Sequence, residues 1–214
     1  MDTILLIDGE NFKGKLKEVF KEAGRSRPTW HTYDFKGLFD AALADIRIER
    51  KVFYFAHIKG HRDSREKSER LIKEQLLLKA HLERQGFEVM LSGHVRGQWE
   101  RGHHNEKVLV FREKGVDVKI AVDMVSLACD KTAREIIIAS SDSDLQPAIK
   151  EVRGRDTSCM YLGFEAQPNK GLAYTTNQTR LIKSTDVLAF AKPQVESYCD
   201  SNSKEPDASR LETT

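Results

Sequence analysis

A strand with no polar side to turn toward water must lie inside a sheet covered on both faces, and residues 3–8 form such a strand. Ile4-Leu5-Leu6-Ile7 is unbroken by any polar residue and ends in Asp8. Continuous apolar strands of this kind belong to parallel sheets flanked by helices. The runs Lys51-Val52-Phe53-Tyr54-Phe55-Ala56 and Ile136-Ile137-Ile138-Ala139 repeat the pattern. Between them the period changes to that of a helix. Phe12, Leu16, Val19 and Phe20 fall at helical spacing in residues 11–22, and Phe39, Leu43 and Ile46 do so in residues 38–48. A longer helix over 64–85 carries Leu71, Ile72, Leu76, Leu78, Ala80 and Leu82 among charges, and Gly86 ends it. Residues 87–91, 134–139 and 157–162 read as further strands, with helices around 116–129 and 145–152. The order β-α-α-β-α-β-α-β-α-β predicts an α/β fold, a three-layer sandwich with a mostly parallel central sheet.

The chain has 214 residues, of which 39% are hydrophobic, enough for one ordinary core. Residues 1–192 read as one domain. Residues 193–214 hold five acids and two bases, with little to bury, and read as a disordered acidic tail; the net charge of +2 then leaves +5 on the domain. A positive excess beside clustered acids suits a polyanionic ligand. No run approaches the roughly 18 apolar residues of a membrane span, and no charged leader precedes the first strand, so the expectation is a soluble, cytoplasmic protein with no membrane partner. Cys129, Cys159 and Cys199 are odd in number and lack zinc-site spacing, which fits a reducing compartment.

Three segments carry the chemistry. The first is Ile7-Asp8-Gly9-Glu10-Asn11. The second runs Lys114-Gly115-Val116-Asp117-Val118 and on to Asp123. The third is Ala139-Ser140-Ser141-Asp142-Ser143-Asp144. In an open α/β sheet, ligands gather outside the carboxyl ends of the strands, so acids placed there converge on one crevice. Converged carboxylates stay ionised together only beside a cation, and all-oxygen ligands suit Mg²⁺ or Mn²⁺. Each acid also has an ordinary reading. Asp8 can cap the following helix, and Asn11 can simply begin it. Asp117 can favour a helix N-terminus by charge, although helical spacing puts it above Ile120, Ala121 and Met124. Asp123 lies about 120° around the helix from Asp117, so both cannot point at one ion; it reads as a supporting residue that fixes a basic or hydroxyl group. Ser141 or Asp142 can cap a helix, which explains one acid of the pair more readily than two.

Taken in order, Leu6-Ile7-Asp8-Gly9-Glu10-Asn11, Lys114-Gly115-Val116-Asp117-Val118 with Asp123, and Ser140-Ser141-Asp142-Ser143-Asp144-Leu145 resemble the signature blocks of NYN domains, the LabA-like branch of the PIN-like nuclease superfamily. The resemblance covers roughly residues 1–190. It implies a PIN-like sandwich and a Mg²⁺- or Mn²⁺-dependent ribonuclease site. Asp8, Asp117, Asp142 and Asp144 match the catalytic, metal-holding acids, and Asn11 matches the accompanying polar position. Asp123, Ser140 and Ser141 are expected around them. Ser141 stands where the family block usually has glycine.

Such a site suits in-line hydrolysis by a metal-activated water and needs no nucleophile from the protein. No His partners Ser140 or Ser141 in sequence, and no phosphate-binding glycine loop is present. For an RNA partner, with DNA left open, the expected contacts are Lys59 and Arg62 after the second strand, and Arg96, Arg101 and Lys114 in a basic stretch that also holds Trp99. That stretch reads equally as a surface hairpin. A homodimer is one compatible assembly. The rival from another class is a non-catalytic RNA-binding or partner-binding regulator on the same fold, and a second enzyme rival is a phosphatase for small phosphate esters.

Overall fold

The computed structural model describes residues 1–58, 65–101 and 107–191, without the side chains of 65, 67, 96–100 and 107–113. Lys59, Arg62 and the acidic tail of residues 193–214 lie outside the described residues, as does the side chain of Arg96. In chain order the elements are β1 (Asp2–Asp8), α1 (Gly9–Glu22), α2 (Phe35–Ala42), β2 (Arg50–His57), α3 (Arg65–Arg84), β3 (Glu88–Arg101), β4 (Lys107–Lys114), α4 (Val116–Cys129), β5 (Ala133–Ala139), α5 (Gln146–Arg153), β6 (Ser158–Phe164), α6 (Lys170–Thr175), β7 (Gln178–Ile182) and α7 (Ser184–Ala189). The strands form one sheet in the order β4-β3-β2-β1-β5-β6-β7. Every neighbouring pair is parallel except β3 and β4, which run antiparallel.

β1 sits at the centre because its side chains are apolar on both faces. Leu5 and Ile7 enter one core with Phe12, Leu16, Phe39, Leu82 and Val187, which come from α1, α2, α3 and α7. Ile4 and Leu6 enter the other with Ile120, Met124, Ile149 and Leu172, from α4, α5 and α6. The first core is rich in phenylalanine. Phe12 stacks on Phe39 at 5.0 Å between ring centroids, and Phe53 meets Phe35 and Phe87 edge-on at 5.5 and 5.1 Å. Rings so arranged add roughly 0.5–1.5 kcal/mol per pair to their burial. No helix among the described residues is long and apolar enough to cross a membrane.

The structure departs from the sequence expectation in three places. The second helix begins at Phe35 rather than Leu38 and stops at Ala42, because Asp34 caps it by accepting the Gly37 N–H at 2.8 Å. Ile46 packs against the core from the loop that follows. The third strand continues to Arg101 and pairs with β4, so the basic stretch is a hairpin. Here the ladder is made by backbone groups in a highly charged sequence, which hides the strand period. β7, α6 and α7 were also not expected; each is short, and β7 is an edge strand with mainly exposed residues.

Gly14 interrupts α1 at an open position, where an added Cβ would meet nothing within 4 Å. Gly14→Ala should therefore raise stability by about 0.5–1 kcal/mol, the usual cost of glycine inside a helix. Chemical denaturation reads this directly, and an unchanged or lower midpoint would mean that α1 is not a regular helix there.

Candidate functional site

Asp8 is the last residue of β1 and the N-cap of α1, so one residue closes the strand and starts the helix. One carboxylate oxygen accepts the Asn11 N–H at 3.2 Å, and the other accepts the Ser140 hydroxyl at 3.3 Å. The residue is only 8% exposed. Burial pushes its carboxyl up to about 6; the bonds from Asn11 and Ser140 work against this, and the charges of Asp142 and Glu10 add to it. Among the described residues the charged groups acting on Asp8 are thus two acids and no cation. Gly9 follows because there is no room for a side chain, since a Cβ would stand 2.1 Å from the Phe55 ring.

The end of β5 is tied to the same place. Asn11 Oδ1 accepts both the backbone N–H and the hydroxyl of Ser141, at 2.9 and 2.8 Å. Ser140 Oγ accepts the Asp142 N–H at 3.1 Å while donating to Asp8, so one hydroxyl joins the two acidic positions. Asp142 in turn caps the short 3-10 turn Ser143–Leu145, accepting the Asp144 N–H at 2.9 Å. The cap expected for this residue is therefore present, and the cap leaves Asp142 close enough to Asp8 for its charge to be felt there.

The strand register brings the second segment to this edge. His57, at the end of β2, pairs with His94, and His94 pairs with Lys114, so α4 begins level with the carboxyl ends of β1 and β2. Asp117 lies in the first turn of α4. It lines a groove of about 420 Å³ together with Asp144, above Val118, Ala121 and Leu145. Among the described residues the carboxylate of Asp117 has no hydrogen-bond or ion-pair partner. Asp123 faces elsewhere. It accepts the Tyr54 hydroxyl at 2.9 Å and pairs with Lys119 at 2.6 Å, and burial with this neighbouring acid drives the Tyr54 phenol far above its ordinary range.

Asp8, Asn11, Ser140, Ser141 and Asp142 are thus joined by hydrogen bonds or charge, and Asp144 and Asp117 share the adjoining groove. Among the described residues no three His, Cys, Asp or Glu side chains stand together closely enough to hold a metal ion. Lys114 is exposed directly before α4. Arg101 is exposed seven residues beyond His94, about 23 Å farther along β3. Asn169 is a residue the sequence did not point to. Its amide donates to the Ser141 carbonyl at 2.8 Å while its Oδ1 caps α6 through Leu172 N–H at 3.0 Å, fixing the loop after β5 from a neighbouring element. The only signal in sequence is an ordinary helix-capping asparagine.

The donor set suits a hard cation. It consists of carboxylate, amide and hydroxyl oxygens, without sulfur or imidazole, and includes a buried acid on which no cation among the described residues acts.

Residues 2–184 match the NYN domain family. A solved structure from Vibrio parahaemolyticus, described as a protein of unknown function, has the same fold with a TM-score of 0.53 at 16% identity, over 85% of this chain and 93% of that one. No curated protein matches the chain significantly.

Proposed function

The chain belongs to the NYN domain family, and from that premise we propose that it is a metal-dependent ribonuclease of the LabA-like, PIN-like kind, cleaving single-stranded or structured RNA in the cytoplasm. The observation that carries the reading is Asp8, a buried carboxyl at the end of β1 joined through the Ser140 hydroxyl to Asp142, and raised to about 6 with no cation among the described residues acting on it. A buried acid in that setting gains most from a divalent cation. Asp8 and Asp142 would hold Mg²⁺ or Mn²⁺, and Asp117 and Asp144, which line one groove, would be the further acids available to it. Magnesium is commonly held by one or two carboxylates with water and substrate phosphate completing the set, so a compact three-acid cage is not required. When bound, the ion supplies a hydroxide-like water at neutral pH and offsets charge on the leaving oxygen. The chain's own residues set the geometry. Ser140 and the Asn11 N–H fix the two oxygens of Asp8, Asn11 and Asn169 fix the loop carrying Ser141, and Asp123 ties α4 to the Tyr54 hydroxyl of β2 while pairing with Lys119 one turn back on the same helix.

One observation favours a non-catalytic, RNA-binding regulator instead. No three acids are gathered for a metal among the described residues. Incubating the purified protein with labelled single-stranded RNA, hairpin RNA and DNA of the same sequence, in Mg²⁺, Mn²⁺ or EDTA, separates the two. The expected result is RNA cleavage in a divalent ion, none in EDTA, and a loss of at least about 100-fold in Asp8→Asn. Binding without cleavage in every ion would establish the regulator. Cleavage of DNA alone would move the substrate.

A further inference from the structure

Beside α1 lies a groove of about 710 Å³. Its walls are α1, the segment around residues 27–31, and α3. From α1 come Lys13, Gly14 and Lys17, spaced three, four and seven residues after Glu10 and so on one stripe of the helix. Arg27 stands on the facing wall, Trp30 supplies aromatic surface, and the buried Phe55 ring lies at the floor with Lys13 over it. Trp30 is half-buried, with part of its ring against the phenylalanine core and the rest lining the groove.

The charges in this groove do not cancel. Glu10 is paired with Lys13, and Glu74 with Arg70 on the next turn of α3 at 3.6 Å. Lys17 and Arg27 are exposed and have no ion-pair partner among the described residues. The uncompensated charge is therefore positive. Gly14 keeps the wall between Lys13 and Lys17 low although no packing contact demands a glycine there.

The groove approaches the acidic edge along α1. Its upper end is Glu10, two residues from Asp8, where the Phe55 ring lies against Gly9. Lys17 is about 10 Å farther down α1. We propose that this groove binds the single-stranded part of an RNA, with a base stacked on Trp30 and phosphates at Lys17 and Arg27, and leads the strand to Asp8. The proposal rests on the ribonuclease reading for its choice of ligand. Aromatic surface with basic residues around it suits a strand whose bases are free to stack. A duplex keeps its bases stacked on one another and has no free face for Trp30. An acidic peptide would meet the same cations but has no use for an edge of carboxylates.

Binding is tested in EDTA, where cleavage is suppressed, by fluorescence polarisation of a labelled ten-nucleotide RNA across a salt series. Trp30→Ala should weaken binding about tenfold, with Trp30→Phe retaining most of it. Lys17→Ala with Arg27→Ala should lower the slope of log affinity against log salt by about 1.4, from two lost phosphate contacts. Gly14→Leu should weaken binding by filling the groove while its melting temperature stays at or above that of the wild type. No binding of RNA by the wild type, binding unchanged by all of these substitutions, or equal affinity for a duplex would overturn the proposal. Parallel cleavage in Mn²⁺ keeps the two readings apart. Groove-dependent binding without cleavage sinks the nuclease and leaves the groove, whereas cleavage with an unchanged KM in every groove variant does the reverse.

Discussion

Asp8→Asn should melt higher than the wild type at pH 7 without metal, by about 6–12 °C, and show almost no difference at pH 4. The cause is the raised carboxyl of Asp8, about 6 in the folded chain against 3.8 for the ordinary group. Below 3.8 the residue is protonated in both states and its proton affinity costs nothing. Between 3.8 and 6 the folded chain holds a proton that the unfolded chain has released, so stability falls as the pH rises. Above 6 the loss is complete and amounts to about 3 kcal/mol. Asparagine keeps an acceptor for the Asn11 N–H and carries no charge to bury. Mn²⁺ should close the gap at pH 7 by stabilising the wild type alone. A destabilised Asp8→Asn at pH 7 would show that the carboxylate is held by a cation other than a bound metal.

Gly93→Ala should cost about 3 kcal/mol or more and disturb the site without touching an acid. Gly93 has φ +72°, and an added Cβ would stand 2.1 Å from the Lys114 carbonyl oxygen. The obstacle is backbone, so the relief must come from moving Lys114 and Gly115, directly before α4 and Asp117. Gly86→Ala is the control, because its φ of +84° carries the same strain with nothing within 4 Å of the new Cβ. Denaturant midpoints should place Gly93→Ala well below Gly86→Ala, which loses only about 1 kcal/mol. Equal midpoints would mean that the Lys114 carbonyl at the end of β4 does not lie against Gly93 in β3.

The central sheet was legible because Ile4 to Ile7 and Ile136 to Ala139 are apolar on both faces, which only a covered parallel strand satisfies. Asp8 and the Ser140–Asp144 turn were legible for the same reason, since each is the first polar group after such a run. Asp117 was visible as a helix-start acid, but the groove it shares with Asp144 depends on the antiparallel return of β4, which the charged hairpin sequence conceals. Asn169 was invisible because its partner lies 28 residues away in sequence. The expected basic path was placed on local concentrations of Lys and Arg, at 59–62 and 96–114. The cations lining the α1 groove are scattered over a helix and a loop, so no stretch of sequence shows them, and only the packing of α1 against the Trp30 segment assembles them.

Asp142→Asn is the most direct test, because Asp142 caps the Ser143–Leu145 turn as well as standing beside Asp8. Asparagine caps almost as well as aspartate, so the variant removes charge while keeping the turn. Single-turnover cleavage of one single-stranded RNA in Mn²⁺ is measured beside metal-free melting of the same samples. The proposed ribonuclease predicts cleavage lost at least about 100-fold with a melting temperature equal to or above that of the wild type. Cleavage at the wild-type rate would contradict it and leave Asp142 as a helix cap alone.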